Sequence, residues 1–418
     1  MKRIAILFSG QGSQYVGMGK RLYEKDEASR TLFDQVCALP GLDLRQLCFS
    51  GPADSLNQTE NTQAALLLCS VLDYRHFQAR TGLQPHLLAG HSLGELSALT
   101  AADAISLEDG LRLARARGLA MSRCAAAQKT GMQAVTKLAL AKVEEVCAGV
   151  PGFGAEFVVA NYNAPNQCVL SGAAPALERA AEALKKAGAT IIPLKVSGAF
   201  HSPYMQGAAE EFARALEETE IRRPRIPVLA NVDGQLHGDP QAIRQSLLKQ
   251  LVSPVRWTDC MLYLRAEGID CYLEAGPRAV LRKLAQANVP GAQAFALDDE
   301  EDQEGIEQAF AADLRAMHEK PSLIGKCMAV AVATRNNNWD DAAYQQGVVQ
   351  PYQRLQALQE EIERNAREAS PEELREALDL LGKIFATKGA PMEERAWRLN
   401  QILEVSACKA QFADYRFA

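Results

Sequence analysis

The ten cysteines include no C-x-x-C pair, no apolar run is long enough to cross a bilayer, and basic residues are outnumbered by acidic ones, 45 to 51. Each absence closes a class of function. Scattered cysteines supply neither a zinc ligand set nor a redox motif, and a chain of 418 residues has core enough without a disulfide framework. The thiols are expected to be reduced and mostly buried, in a cytoplasmic protein that holds no metal. A formal net charge of -6 argues against nucleic acid as the main partner. The N-terminal "MKRIAILFSGQGSQ" places Lys2 and Arg3 ahead of apolar residues, but Ile4 to Phe8 is too short for a signal segment and no small-residue cleavage site follows. A buried first strand accounts for it, and no other stretch reads as a membrane span. Repeats and low-complexity tracts are missing as well.

What is present is ordinary in bulk: 48% hydrophobic and 23% charged residues, with length for two or three domains. Residues 1–129 alternate short apolar runs with helical patterns, giving strands at Ile4 to Phe8 and Leu87 to Ala89 and helices at Ala64 to Phe77 and Leu111 to Met121. That alternation predicts a parallel sheet flanked by helices. Residues 130–196 run strand, helix, strand, strand, helix, strand, the order of a ferredoxin-like unit. Patterning of the α/β kind returns over 197–300, in "IPVLANVDG" and "IDCYLEAGP", so the small domain is an insertion into a large α/β catalytic domain. The acidic run "LDDEEDQEGIEQ" marks a boundary, and 301–418 reads as a helical C-terminal extension. There Leu355, Leu358 and Ile362 share a face behind Pro351. Ser370-Pro371-Glu372-Glu373 reads as an N-cap and first turn ahead of Leu374, Leu378, Leu381 and Phe385, and a third helix carries Trp397, Ile402 and Leu403.

The first chemical signal is Gly90-His91-Ser92-Leu93-Gly94, between a strand-like and a helix-like run. By chance G-x-S-x-G occurs in about one chain in ten of this length. Its strand-to-helix setting, however, is what a nucleophilic serine on a tight turn requires. A helix starting just after Ser92 also aims backbone N–H groups at a developing oxyanion. A serine capping a helix between two glycines is the plain alternative. A serine nucleophile needs a general base, most often histidine. Of the six histidines, His76 lies in a helical pattern, His86 precedes a strand, and His237 and His318 have polar surroundings. His91 adjoins the serine, where successive side chains diverge. His201, in the loop "VSGAFHSPYM", is the best placed.

Several motifs together resemble the malonyl-CoA:acyl carrier protein transacylases of fatty-acid and polyketide synthesis. They are "SGQGSQ", "NQTENTQAALL", "GHSLGELSAL", "ARARGLAM", "VANYNAPNQCVLSG", "SGAFHSPYM", "ANVDG", "QLVSPVRWTD" and "YLEAGP", in the family's order, from residue 3 to about 300. The resemblance implies an α/β-hydrolase-like large domain around a parallel sheet. Ser92 would be the acylated nucleophile and His201 its base and later acid, in a dyad without a carboxylate. The main-chain carbonyl of Gln250 would accept the His201 Nδ1–H, and the backbone N–H groups of Gln11 and Leu93 would form the oxyanion hole. Arg117 would hold the malonyl carboxylate as a bidentate pair, chosen from Arg112, Arg115 and Arg123 by the Arg117-Gly118 match. Gln63, Asn161 and Asn231 fall at the family's polar active-site positions, with turn or strand-end capping as their plain alternative. Malonyl-CoA would be the donor and the phosphopantetheine thiol of an acyl carrier protein the acceptor, by ping-pong kinetics and with no bound cofactor.

Specificity can be read one level further. Phe200, before His201, goes with malonyl in polyketide acyltransferases, since its ring crowds a substituent at C2, and Leu93 points the same way. Gly198, where a histidine often opens that motif, and Ser9, where proline is common before G-Q-G-S-Q, are departures. One methyl is worth about 1–3 kcal/mol of discrimination, so malonyl is favoured. The residues beyond about 310 resemble the tails of freestanding, trans-acting acyltransferases of polyketide or hybrid peptide–polyketide assembly lines. They read either as a cap on the catalytic domain or as a docking element for carrier proteins. Two other functions stay open. An editing hydrolase of carrier-bound acyl groups would have no use for Arg117, and a non-catalytic scaffold would have none for Ser92 and His201.

Overall fold

The computed structural model describes residues 2–38, 43–194, 196–318, 322–365 and 367–417, without the side chains of 315–318. The chain forms two compact units, Met1–Phe310 and Ala311–Ala418.

In the first unit, β1 (Ile4–Phe8), β2 (Leu87–Gly90), β7 (Val228–Leu229), β8 (Cys271–Ala275) and β9 (Gln293–Ala296) form a sheet in the order β7-β2-β1-β8-β9. Every pair is parallel. β1, β2 and β8 are buried along their whole length, as expected of apolar strands covered by helices on both faces. The helix Thr59–Thr81 buries Leu66, Leu67, Leu68, Val71 and Leu72 around its circumference, which makes it a core helix rather than a surface one. It packs against the helix Leu107–Ala126. Both run past their expected limits, because the polar residues that extend each end carry no apolar period.

The inserted unit consists of β3 (Thr130–Thr136), β4 (Phe157–Ala164), β5 (Gln167–Ala173) and β6 (Thr190–Pro193), with helices Leu140–Ala148 and Ala174–Lys186. Its sheet is antiparallel, in the order β4-β5-β3-β6, which is the ferredoxin-like arrangement. All ten cysteines are free, and no helix among the described residues is long and apolar enough to cross a membrane.

The first unit continues beyond the acidic run. Phe310, on the helix Gln303–His318, is fully buried and packs edge-on against Phe77 with centroids 6.1 Å apart. Glu307 on the same helix pairs with Arg80 at 2.7 Å. The division between units therefore falls within this helix and not at 300.

The second unit has its own core, built from helices Leu323–Ala333, Gln350–Arg364, Pro371–Lys388 and Met392–Val405. Ser370 and Glu373 form a reciprocal capping box at the start of the third, and Leu378, Leu381 and Phe385 line its buried face. Trp397 is 53% exposed and contributes nothing to this core, whereas Ile402 and Leu403 are buried. The helix Leu323–Ala333, not expected from the sequence, ends in a buried cation. Lys388 Nζ donates to the carbonyls of Ala331 at 2.7 Å and Thr334 at 3.0 Å, supplying donors to a helix C-terminus. Lys388→Met should therefore destabilise the second unit by about 1–3 kcal/mol, since both carbonyls lose their partner in a buried place. Faster amide exchange confined to the end of Leu323–Ala333 and its neighbours is the expected reading.

Candidate active site

β2 ends at Gly90, and the next helix, Gly94–Ala101, begins beyond a turn that carries Ser92 in the left-handed region at φ 53°. A side chain at Gly94 would overlap the Phe8 carbonyl of β1, so only glycine lets the helix start this close to the sheet. Asn231 braces the turn. Its Oδ1 accepts the Ser92 N–H at 2.7 Å, while its Nδ2 donates to the Gly90 carbonyl at 2.7 Å.

His201 enters from the loop after the inserted domain, also left-handed at φ 56°. The Ser92 hydroxyl donates to His201 Nε2 at 2.7 Å, and His201 Nδ1–H donates to the main-chain oxygen of Gln250 at 2.8 Å. Gln250 lies in the last turn of the helix Pro240–Val252, where carbonyls have no intrahelical partner and are free to take an outside donor. Burial pulls the imidazole down to about 3, and the charge of Arg117 acts in the same direction. The ring is therefore neutral, as a general base must be.

Arg117 comes from the helix Leu107–Ala126 and is 1% exposed. A Cβ at Gly118 would overlap the main chain at Glu60, so glycine allows this helix to close on the helix Thr59–Thr81. Arg117 Nη1 then meets Gln63 Oε1 at 2.9 Å, and Nη2 meets Gln250 Oε1 at 2.8 Å and Ser92 Oγ at 3.1 Å. Burial lowers this guanidinium to about 10, against the pull of the Glu95 carboxylate, and it remains charged near neutrality.

A cavity of about 280 Å³ opens beside Ser92 and His201. Gln11 and Phe200 line it from the large domain, Met132 and Asn161 from the inserted one. The backbone N–H groups of Gln11 and Leu93 have no acceptor among the described residues. Arg117 and Leu93 are not among the cavity's lining residues, and Arg117 reaches it through its contact with Ser92 Oγ. Gln63 and Asn231 do not line the cavity either. Both are fully buried and their amides are committed to Arg117 and to the Ser92 turn, so they support the site instead of facing substrate. Sequence reasoning missed Glu95 and His237, which form a buried pair at 3.0 Å beneath the site, and Asn163, whose Oδ1 meets His91 Nε2 at 2.8 Å. The position of Glu95 in the first turn after the serine was the available signal for that pair.

Residues 6–313 match the acyl transferase domain family. The chain belongs to that family. It is 31% identical over 395 residues to a malonyl CoA-acyl carrier protein transacylase of Bacillus subtilis, covering 94% of this chain and 99% of the relative. An alignment of that length extends into the second unit. A crystal structure of malonyl-CoA:acyl carrier protein transacylase from Xanthomonas oryzae pv. oryzae KACC10331 is 40% identical with a TM-score of 0.71, covering 74% of this chain and 98% of that one. A type II polyketide acyl carrier protein in complex with its malonyl-transacylase is similar too, at 37% identity and a TM-score of 0.69, over 72% and 97% of the two chains.

In this acyltransferase the state of His201 can be read through Ser92. Labelling of Ser92 by a fluorophosphonate should hold its rate from about pH 8 down to about pH 5, with no inflection at the ordinary histidine value of about 6.5. In Arg117→Ala the second of three depressing causes (burial, Arg117 and His91) is gone, so the inflection should move to higher pH. An inflection near 6.5 in the parent protein would mean a solvated imidazole and contradict the geometry.

Proposed function

We propose that this acyltransferase moves a malonyl group from malonyl-CoA to the phosphopantetheine thiol of an acyl carrier protein, through malonyl-Ser92. The observation that carries the reading is a buried guanidinium 3.1 Å from the serine hydroxyl, which gives a diacid a fixed place to put its free carboxylate.

Ser92 Oγ attacks the thioester carbonyl as its proton passes to His201 Nε2. The tetrahedral oxyanion is received by the N–H groups of Gln11 and Leu93. Collapse breaks the C–S bond, and the CoA thiolate takes the proton back from His201. The carrier thiol then repeats these steps on the acyl-serine, giving ping-pong kinetics. Gln250 keeps His201 in the tautomer that leaves Nε2 free, the role an aspartate plays in triads. Arg117 holds the acyl group in a transfer geometry, which favours a positioned thiol over water. Phe200 in the cavity wall crowds a methyl at C2, so malonyl is taken over methylmalonyl. The similarity to a polyketide carrier complex and the second unit support a freestanding enzyme that serves a polyketide or hybrid assembly line in the cytoplasm. No bound cofactor takes part.

Intact mass after mixing with malonyl-CoA should show a malonyl adduct that is absent in Ser92→Ala. Arg117→Ala should lower kcat/KM for malonyl-CoA by about 100-fold or more, the usual result of removing one partner of a buried charge pair. No adduct, or carrier-bound acyl hydrolysis outrunning transfer, would overturn the reading.

A further inference from the structure

Glu95 takes no part in the steps above, yet it is fully buried directly beneath them. Its Oε2 accepts the Asn231 N–H at 2.8 Å and Gln250 Nε2–H at 2.9 Å, and its Oε1 meets His237 Nε2 at 3.0 Å. Glu95 Oε2, already accepting the Asn231 N–H, presents an acceptor here, so the end of the Gln250 amide that faces it is the NH2. The second hydrogen of that NH2 goes to the Ser92 carbonyl at 2.9 Å, with Asn231 Oδ1 also in reach at 3.3 Å. The opposite end, Oε1, is thereby left to face Arg117 Nη2.

Turned over, the Gln250 amide would set its oxygen against three oxygens and its NH2 against a guanidinium. Hydrogen-bond direction is therefore imposed from Glu95 outward. With Gln250 Oε1 as acceptor, Arg117 Nη2 has a hydrogen left for Ser92 Oγ. Ser92 Oγ, accepting there, points its own hydrogen at His201 Nε2. His237, with a side chain only 1% exposed, holds the other carboxylate oxygen and keeps Glu95 from rotating out of this register.

We propose that Glu95, held by His237, is a positioning residue that fixes the orientation of the Gln250 amide and so presents Arg117 to the substrate carboxylate. The inference rests on the malonyl reading for its kinetic test. Glu95→Met is close to Glu in shape and removes the acceptor. The ratio of kcat/KM for Ser92 acylation by malonyl-CoA to that by acetyl-CoA should fall about 10- to 100-fold, the worth of one hydrogen bond to a charged group. A merely structural loss would lower both substrates alike and leave the ratio unmoved.

Because Glu95 acts through the Gln250 side chain, the same change made in Gln250→Met should cost the ratio little more, a non-additive cycle. An unchanged ratio, or additive effects, would overturn the proposal. If Glu95→Met fails to fold, His237→Leu should shift the ratio in the same direction, and His237→Gln, which keeps a donor there, should restore it. A crystal structure of either folded variant tests the point without substrate: the Arg117–Gln250 contact should be lost, and its retention would refute the inference. Failure of the malonyl reading is separable, because it would show as no acylation in the parent protein.

Discussion

A buried guanidinium that has no carboxylate against it among the described residues is the constraint around which this candidate active site is arranged. Taking an ion of that size out of water costs several kcal/mol even after relaxation. The three acceptors that meet Arg117 are neutral: two side-chain amides and the serine hydroxyl. The Glu95 charge lies one amide away, behind Gln250, and its help is outweighed by burial. The site therefore holds a positive charge that is solvated by dipoles and not neutralised. An entering carboxylate supplies what the protein withholds. Selectivity for a diacid, in the proposed reaction, follows from a deficit built into the fold.

The same charge reaches the base. Arg117 is one of the causes that hold His201 low, second only to burial. In the proposed reaction a malonyl carboxylate paired with Arg117 would cancel that contribution, and the imidazole would become a better base with the right acyl group present. An acetyl group would leave Arg117 uncompensated and His201 weak. Selection then acts on the rate of proton transfer as well as on binding, which a hydrophobic pocket alone could not do, since it discriminates small groups by only about 1–3 kcal/mol. Both effects depend on Gly118, because a side chain there would keep the helix bearing Arg117 away from Gln63.

How much of this was legible in the sequence depends on the distance over which each signal acts. Ser92 was readable because the strand, the turn and the helix that define it are contiguous, and the glycines on either side announce the turn. His201 needed elimination among six histidines, and Arg117 needed the family resemblance, since four arginines share its stretch of helix. The parallel sheet and the ferredoxin-like insertion were legible from the alternation of apolar runs. Gln63 and Asn231 were placed in the right neighbourhood, with substrate binding and structural capping both left open. An amide can serve substrate or protein equally well, and only burial and partners decide. The pair of Glu95 and His237 lies 142 residues apart in the chain, and no local pattern brings such partners together. The end of the catalytic unit was displaced for a related reason. The acidic run looks like a linker, but Phe310 beyond it is a core residue, and a single buried ring carries no periodicity.

In the proposed reaction the two half-reactions place opposite demands on one imidazole. Attack by Ser92, and later by the carrier thiol, needs a base, whereas expulsion of each leaving group needs an acid. A histidine held down to about 3 is a strong acid once protonated, and gives its proton to a departing thiolate or to the serine oxygen with little cost. Its weakness as a base, set first by burial, is eased while a carboxylate sits on Arg117, and in the proposed reaction the malonyl group stays there throughout, first as thioester and then as acyl-serine. Arg117 is pushed down only to about 10, so between that value and about 3 the resting site keeps one protonation state: a charged guanidinium and a neutral dyad. Each half-reaction therefore starts from the state in which the other ends. Transfer between two thioesters of similar energy needs that symmetry, and a hydrolase, whose second step runs downhill to water, does not.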